Sequence, residues 1–148
     1  QESRGLGDVY KRQKLYNQII TSYYEKEYTD EEFDALVDQA LLLFDDELAK
    51  NNPKETYIQS LKKEIADYDK RSRQIRQTDV CDSDDVLYTT DPNNDDKLAY
   101  VTASYFVKED KSFTKTYQMY VLRKDKNKNW KILTYYQIDK NPNEDATE

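Results

Sequence analysis

The sequence predicts an α+β domain, with N-terminal helices packed on a curved antiparallel sheet of three to four strands. Apolar residues recur at helical three-and-four spacing up to about Thr78, and beyond it three runs alternate as strands. Within the first half, Thr29-Asp30-Glu31-Glu32 is a capping box that marks a helix start. Helices followed by a meander give helices laid across one face of an antiparallel sheet.

The first helix is expected from Lys14 to about Lys26, with an apolar stripe of Leu15, Tyr16, Ile19, Ile20, Tyr23 and Tyr24. The second follows the capping box, with Tyr28 and Phe33 at the two positions of a hydrophobic staple and a stripe running through Phe44 to Leu48. Asn51-Asn52-Pro53 closes it, with Asn52 placed to cap a third helix and Pro53 at its first position. That helix carries Ile58, Leu61, Ile65, Tyr68 and Ile75 as a narrow seam in which Ser72 fills the one gap.

Asp79 to Asp85 reads as an acidic connector and Val86 to Thr90 as a short first strand. Asp91 to Asp96 is a turn by composition. Strands follow from about Leu98 to Val107, Phe113 to Leu122 and Trp130 to Ile138, joined by turns at Glu109-Asp110-Lys111 and Asp125 to Asn129. The strands are apolar on both faces, so a second copy of the chain is expected on the face that the helices leave open.

At 148 residues the length fits one domain, long enough to bury roughly 68–70% of its unfolded surface. The hydrophobic fraction is only 36%, but 14 tyrosines add large apolar rings that keep a hydroxyl. A net charge of −7 argues against nucleic acid or an anionic membrane as partner. Histidine is absent, which removes the usual general base and the commonest zinc ligand. Cys81 is the single cysteine, so no internal disulfide forms. No apolar run approaches the roughly 20 residues of a transmembrane helix.

Ser3 to Gln13 resembles a peptide that recurs at the ends of translated metagenomic contigs, where adapter sequence is read as protein. Residues 1–13 are therefore set aside as a disordered or artefactual leader, 14–138 as a single α+β domain and 139–148 as a disordered acidic tail. An upstream leader lost with the true N-terminus favours export or membrane anchoring over the cytoplasm.

The chemistry-bearing clusters favour plain structural readings. Asp91-x-Asn93-x-Asp95 opens like a calcium loop, but Asp96 stands where glycine is needed and Thr102 where a bidentate glutamate is needed. Acidic neighbours disfavour a Cys81 thiolate. Arg71, Arg73 and Arg76 read as charge complementing a helix C-terminus. The strand bodies 98–107, 113–122 and 130–138 hold no Asp, Glu or His, so a carboxylate base has to come from a helix or from Asp85. Tyr100, Tyr105, Tyr117, Tyr120, Tyr135 and Tyr136 are expected as aromatic rows. No motif calls for a cofactor or a metal.

The helix-then-bent-sheet layout, and the final hairpin that opens its last strand with Trp130-Lys131-Ile132, resemble the nuclear-transport-factor-2-like (cystatin-like) superfamily. The resemblance covers about residues 14–138, and its sharp part is under ten residues. It implies a cone with a pocket between helices and sheet, and frequent dimers through sheet faces. It does not imply an activity. The pocket residues expected on this basis are Tyr24, Tyr100, Tyr117, Met119, Trp130, Ile132 and Tyr136. The expected function is a non-catalytic ligand- or protein-binding accessory domain of an exported bacterial protein. The alternatives are a small-molecule lyase or isomerase using the cone pocket and a purely structural dimerisation module. The enzyme reading requires an Asp or Glu side chain in the cone within reach of a tyrosine hydroxyl.

Overall fold

Helices α1 (Glu2–Glu25), α2 (Asp30–Leu43), α3 (Asp46–Asn51) and α4 (Lys54–Lys70) precede a five-stranded antiparallel sheet in a computed structural model that describes residues 2–142. The strands are β1 (Arg73–Val80), β2 (Leu87–Thr90), β3 (Lys97–Glu109), β4 (Ser112–Lys124) and β5 (Trp130–Ile138). The sheet is curved, and all four helices come before it in the chain. The α+β class and the curved antiparallel sheet are as the sequence predicts, with the four expected strands present as β2 to β5 and β1 added beside them.

The sheet order is β1-β3-β4-β5. β1 pairs with the second half of β3, from Val80↔Ala103 to Arg73↔Glu109, and β2 pairs with the first half, from Leu87↔Tyr100 to Thr90↔Lys97. The two short strands are thus one edge strand interrupted by Cys81–Val86, and the interruption sends Val86 into the core. Bulges between Ile75 and Gln77 and between Val121 and Leu122 bend the sheet.

One face of the sheet carries the core. Ala99, Val101 and Ala103 of β3, Leu122 of β4 and Ile132 of β5 are fully buried there, under Ile19 and Tyr23 of α1 and Val37 and Ala40 of α2. The capping box forms as the sequence predicts: Thr29 Oγ1 accepts from the Glu32 N–H at 3.1 Å, and the Glu32 carboxylate accepts from the Thr29 N–H at 2.8 Å. Tyr28 and Phe33 meet at 5.1 Å as the staple.

Three boundaries differ from the sequence reading. The second helix stops at Leu43, because Phe44 and Asp45 turn extended and Phe44 bridges Ile132 in parallel beyond the β5 edge. Asp45 then caps α3 by accepting from the Glu47 N–H at 2.9 Å. The third predicted helix ends at Lys70, because Ser72 is left-handed (φ 55°) and Ile75 already belongs to β1. Arg73 and Arg76 are accordingly strand residues rather than helix-end charges. Pro53 is the N-cap of α4 rather than its first residue, and Asn52 ends α3.

The leader assigned to residues 1–13 is helical from Glu2 onward, and Val9 and Gln13 are fully buried. Val9, Gln13 and Tyr16 continue the inward stripe of α1, so the domain begins before Lys14. Of the expected tail, 143–148 lie outside the described residues.

Candidate functional site: a tyrosine-lined cavity

A cavity of about 240 Å³ lies between α1, α4 and the inner sheet face. Helical spacing supplies one side. Tyr16, Ile20 and Tyr24 project from α1 at steps of four, and Tyr57, Leu61, Glu64 and Tyr68 from α4 at steps of four and three. Strand alternation supplies the other, with Tyr105 from β3, Gln118 and Tyr120 from β4 and Tyr135 from β5. Seven tyrosines line it in all, half of the chain's 14.

The rings form two groups. Tyr16 meets Tyr120 edge-on at 5.5 Å, and Tyr120 lies 5.3 Å from Tyr135. Tyr24 and Tyr68 pack at 4.5 Å, with the Arg73 guanidinium over the Tyr68 ring at 4.6 Å. The hydroxyls are chained. Tyr105 donates to Asn17 Oδ1 at 3.0 Å and Tyr120 donates to Tyr105. Gln13 Nε2 donates to the same Asn17 oxygen at 3.2 Å, which ties the middle of α1 into this network. Tyr23 and Tyr57 share a hydroxyl contact at 3.3 Å.

Burial keeps these phenols neutral. It pushes Tyr16, Tyr105 and Tyr120 up from the ordinary tyrosine value, and Tyr57 up to about 12. Tyr24 is also held up, first by burial and then by the Glu64 carboxylate beside its hydroxyl. The wall therefore offers neutral hydroxyls at any physiological pH, not bases. Among its lining residues the one charge is Glu64, which stands at the exposed edge of α4. This carboxylate comes from a helix, the route left open by the acid-free strand bodies.

The expected pocket residues divide among three places. Tyr24 lines the cavity. Trp130 and Ile132 face the same side of the sheet but belong to the packed core, with Trp130 edge-on to Tyr88 at 5.8 Å. Tyr100, Tyr117, Met119 and Tyr136 lie on the opposite face, since Met119 pairs with Tyr136 and alternates with the buried Tyr120. The tyrosine rows thus split, with Tyr105, Tyr120 and Tyr135 inside and the other three outside. The inner rows were separable by alternation from Val101 and Val107. Tyr57 and Glu64 do not stand out in the sequence, because the apolar seam of α4 runs through Ile58 and Ile65, each one residue further on.

Among the described residues no three His, Cys, Asp or Glu side chains converge to hold a metal ion, and no helix is long and apolar enough to cross a membrane. Cys81 is half-buried, and burial, ahead of Asp85 and Asp82, pushes its thiol up. A protein-family model matches residues 12–135, which span every cavity-lining residue. The chain belongs to the DUF6715 family, described as a domain of unknown function. No curated protein matches it. The DUF6715 match begins inside α1 and ends at Tyr135 in the middle of β5, so it covers both walls of the cavity.

Proposed function

We propose that this DUF6715 domain is a non-catalytic binding module on the nuclear-transport-factor-2-like plan, with a small ligand held in the tyrosine cavity. One observation carries the reading: seven tyrosines converge on about 240 Å³ of space that the core does not fill. The volume falls below the range of about 300–1,000 Å³ usual for drug-sized ligands, so a compact ligand fits best. The layout of helices, bent sheet and interposed cavity also supports the superfamily plan.

The test uses carbon-labelled tyrosine NMR on the full chain with acetate, glucose and choline as probes. Binding by any probe should move the Tyr16, Tyr57, Tyr105 or Tyr120 signals. Ser60→Trp, which places a large ring at the exposed lining position of α4, should abolish those shifts while circular dichroism stays unchanged. Shifts confined to Tyr100, Tyr117 and Tyr136, or none at all, would overturn the reading.

Two further readings have an observation behind each. Glu64 beside the Tyr24 hydroxyl supplies the carboxylate–phenol pair that a lyase or isomerase needs. Deuterium exchange into a small ketone that vanishes in Glu64→Gln would bring that reading ahead of simple binding. The outer sheet face supports a homodimer: Phe113 and Tyr136 are 53% and 48% exposed, and Phe106 stacks on Phe113 at 5.2 Å. Light scattering should then show a dimer that Phe113→Glu dissociates, and a monomer at high concentration would count against it.

A further inference from the structure

We propose that the cavity takes an organic ammonium cation, held against the tyrosine rings and countered by Glu64. This rests on the cavity being a ligand site and names the ligand's class. The lining includes no Lys, Arg or His, and Glu64 is its one charge. Among the described residues, the neighbouring acids of α4 are matched, Asp67 by Arg71 and Asp69 by Lys26, while Glu64 enters no ion pair. Arg73, over the Tyr68 ring, is already paired with Glu109, so an anionic ligand would meet the Glu64 carboxylate with no cation among the lining residues to offset it.

The rings provide the second half of the recognition. Aromatic faces attract ammonium groups through the ring quadrupole, and quaternary ammoniums are held in cages of such rings. The wall already does this once: the Arg73 guanidinium sits 4.6 Å over Tyr68, its own charge met by Glu109 at 3.2 Å. Because burial holds the phenols neutral, their hydroxyls add dipoles but no charge to that of Glu64. The chain's net charge of −7 favours the approach of cations over anions. A headgroup-sized ammonium matches a cavity of about 240 Å³ better than a long amine does.

The decisive comparison is choline against its uncharged isostere, in which carbon replaces the ammonium nitrogen, titrated calorimetrically into the full chain. Choline should bind at least about tenfold tighter, a difference of about 1.4 kcal/mol. Glu64→Gln should remove most of that preference and leave the isostere unaffected. Tyr68→Leu, a second variant outside the core, should weaken choline alone. Salt should weaken choline and not the isostere.

Equal affinity for the two compounds overturns the cation assignment and leaves a ligand site of another class. Binding of glucose or acetate without choline does the same. If no probe moves the cavity tyrosines in the NMR experiment, the underlying ligand-site reading falls with it. Once choline binds, cosedimentation with phosphatidylcholine vesicles separates a lipid headgroup from a soluble amine as the source.

Discussion

Arg123 of β4 reaches Asp45, the residue that joins α2 to α3, and grips both of its carboxylate oxygens. Phe44 and Asp45 are extended, so they point to opposite faces: Phe44 enters the core while Asp45 meets the guanidinium. The same carboxylate caps α3, and Asp96 takes another Arg123 nitrogen at 3.3 Å. The Asp45 N–H donates to the Ile132 carbonyl at 2.8 Å, so one residue fixes the helical layer to the sheet edge. Asp45 is 4% exposed, and removing Arg123 strands its charge. Arg123→Ala should cost about 3 kcal/mol in urea unfolding. The double variant Asp45→Ala/Arg123→Ala should cost less than the sum of the two single variants. Additive costs would show that the pair does not couple.

The buried phenols make stability sensitive to alkali. A tyrosine whose folded pKa lies above its unfolded value of about 10 contributes nothing pH-dependent below that value. Above it the unfolded chain releases the proton while the fold retains it, so stability falls as pH rises. Tyr57 sets a window from about 10 to about 12, and Tyr16 and Tyr120 extend the loss further. Phenolate absorbance from these tyrosines should appear together with loss of helical circular dichroism. Their ionisation in a protein that stays folded would contradict the buried hydroxyl network.

How far the sequence could be read follows from which interactions are local. The capping box and staple at Tyr28–Phe33 are set by neighbouring side chains and were legible. The break at Phe44–Asp45 was not, because its partners Ile132 and Arg123 lie far along the chain. The Ser72 gap alone does not mark the end of the α4 seam, because Ile75 falls on helical spacing as well as on a strand face. Sheet alternation separated the two faces without saying which one the helices cover. That depends on α1 and α4 meeting β1, a tertiary fact, and it left Tyr100, Tyr117, Met119 and Tyr136 grouped with the cavity-lining Tyr24.

The first turns of α1 give a direct test of where the domain begins. Val9 is fully buried although it lies in the stretch set aside as a leader. Val9→Ala should cost about 1–2 kcal/mol, as a small core truncation does. Lys11→Ala, on the exposed side of the same helix, should stay within about 0.5 kcal/mol. Equal, negligible effects would mean that the early part of α1 adds nothing to the core.

Ser72 tests the helix-to-strand switch itself. Its φ of 55° puts a side chain in the left-handed region, where an L-residue is disfavoured by roughly 1–2 kcal/mol. Glycine relieves that cost but adds freedom to the unfolded chain, worth about 0.4–1 kcal/mol the other way. Ser72→Gly should therefore raise stability slightly, by about 0.5 kcal/mol. Ser72→Val should lower it by roughly 1–2 kcal/mol, because a β-branched side chain is poorly accommodated there. The opposite signs are what a turn at Ser72 requires. If valine were tolerated as well as glycine in urea unfolding, the α4 seam would be running on through Ser72 to Ile75 as helix, and β1 would lose its first residues.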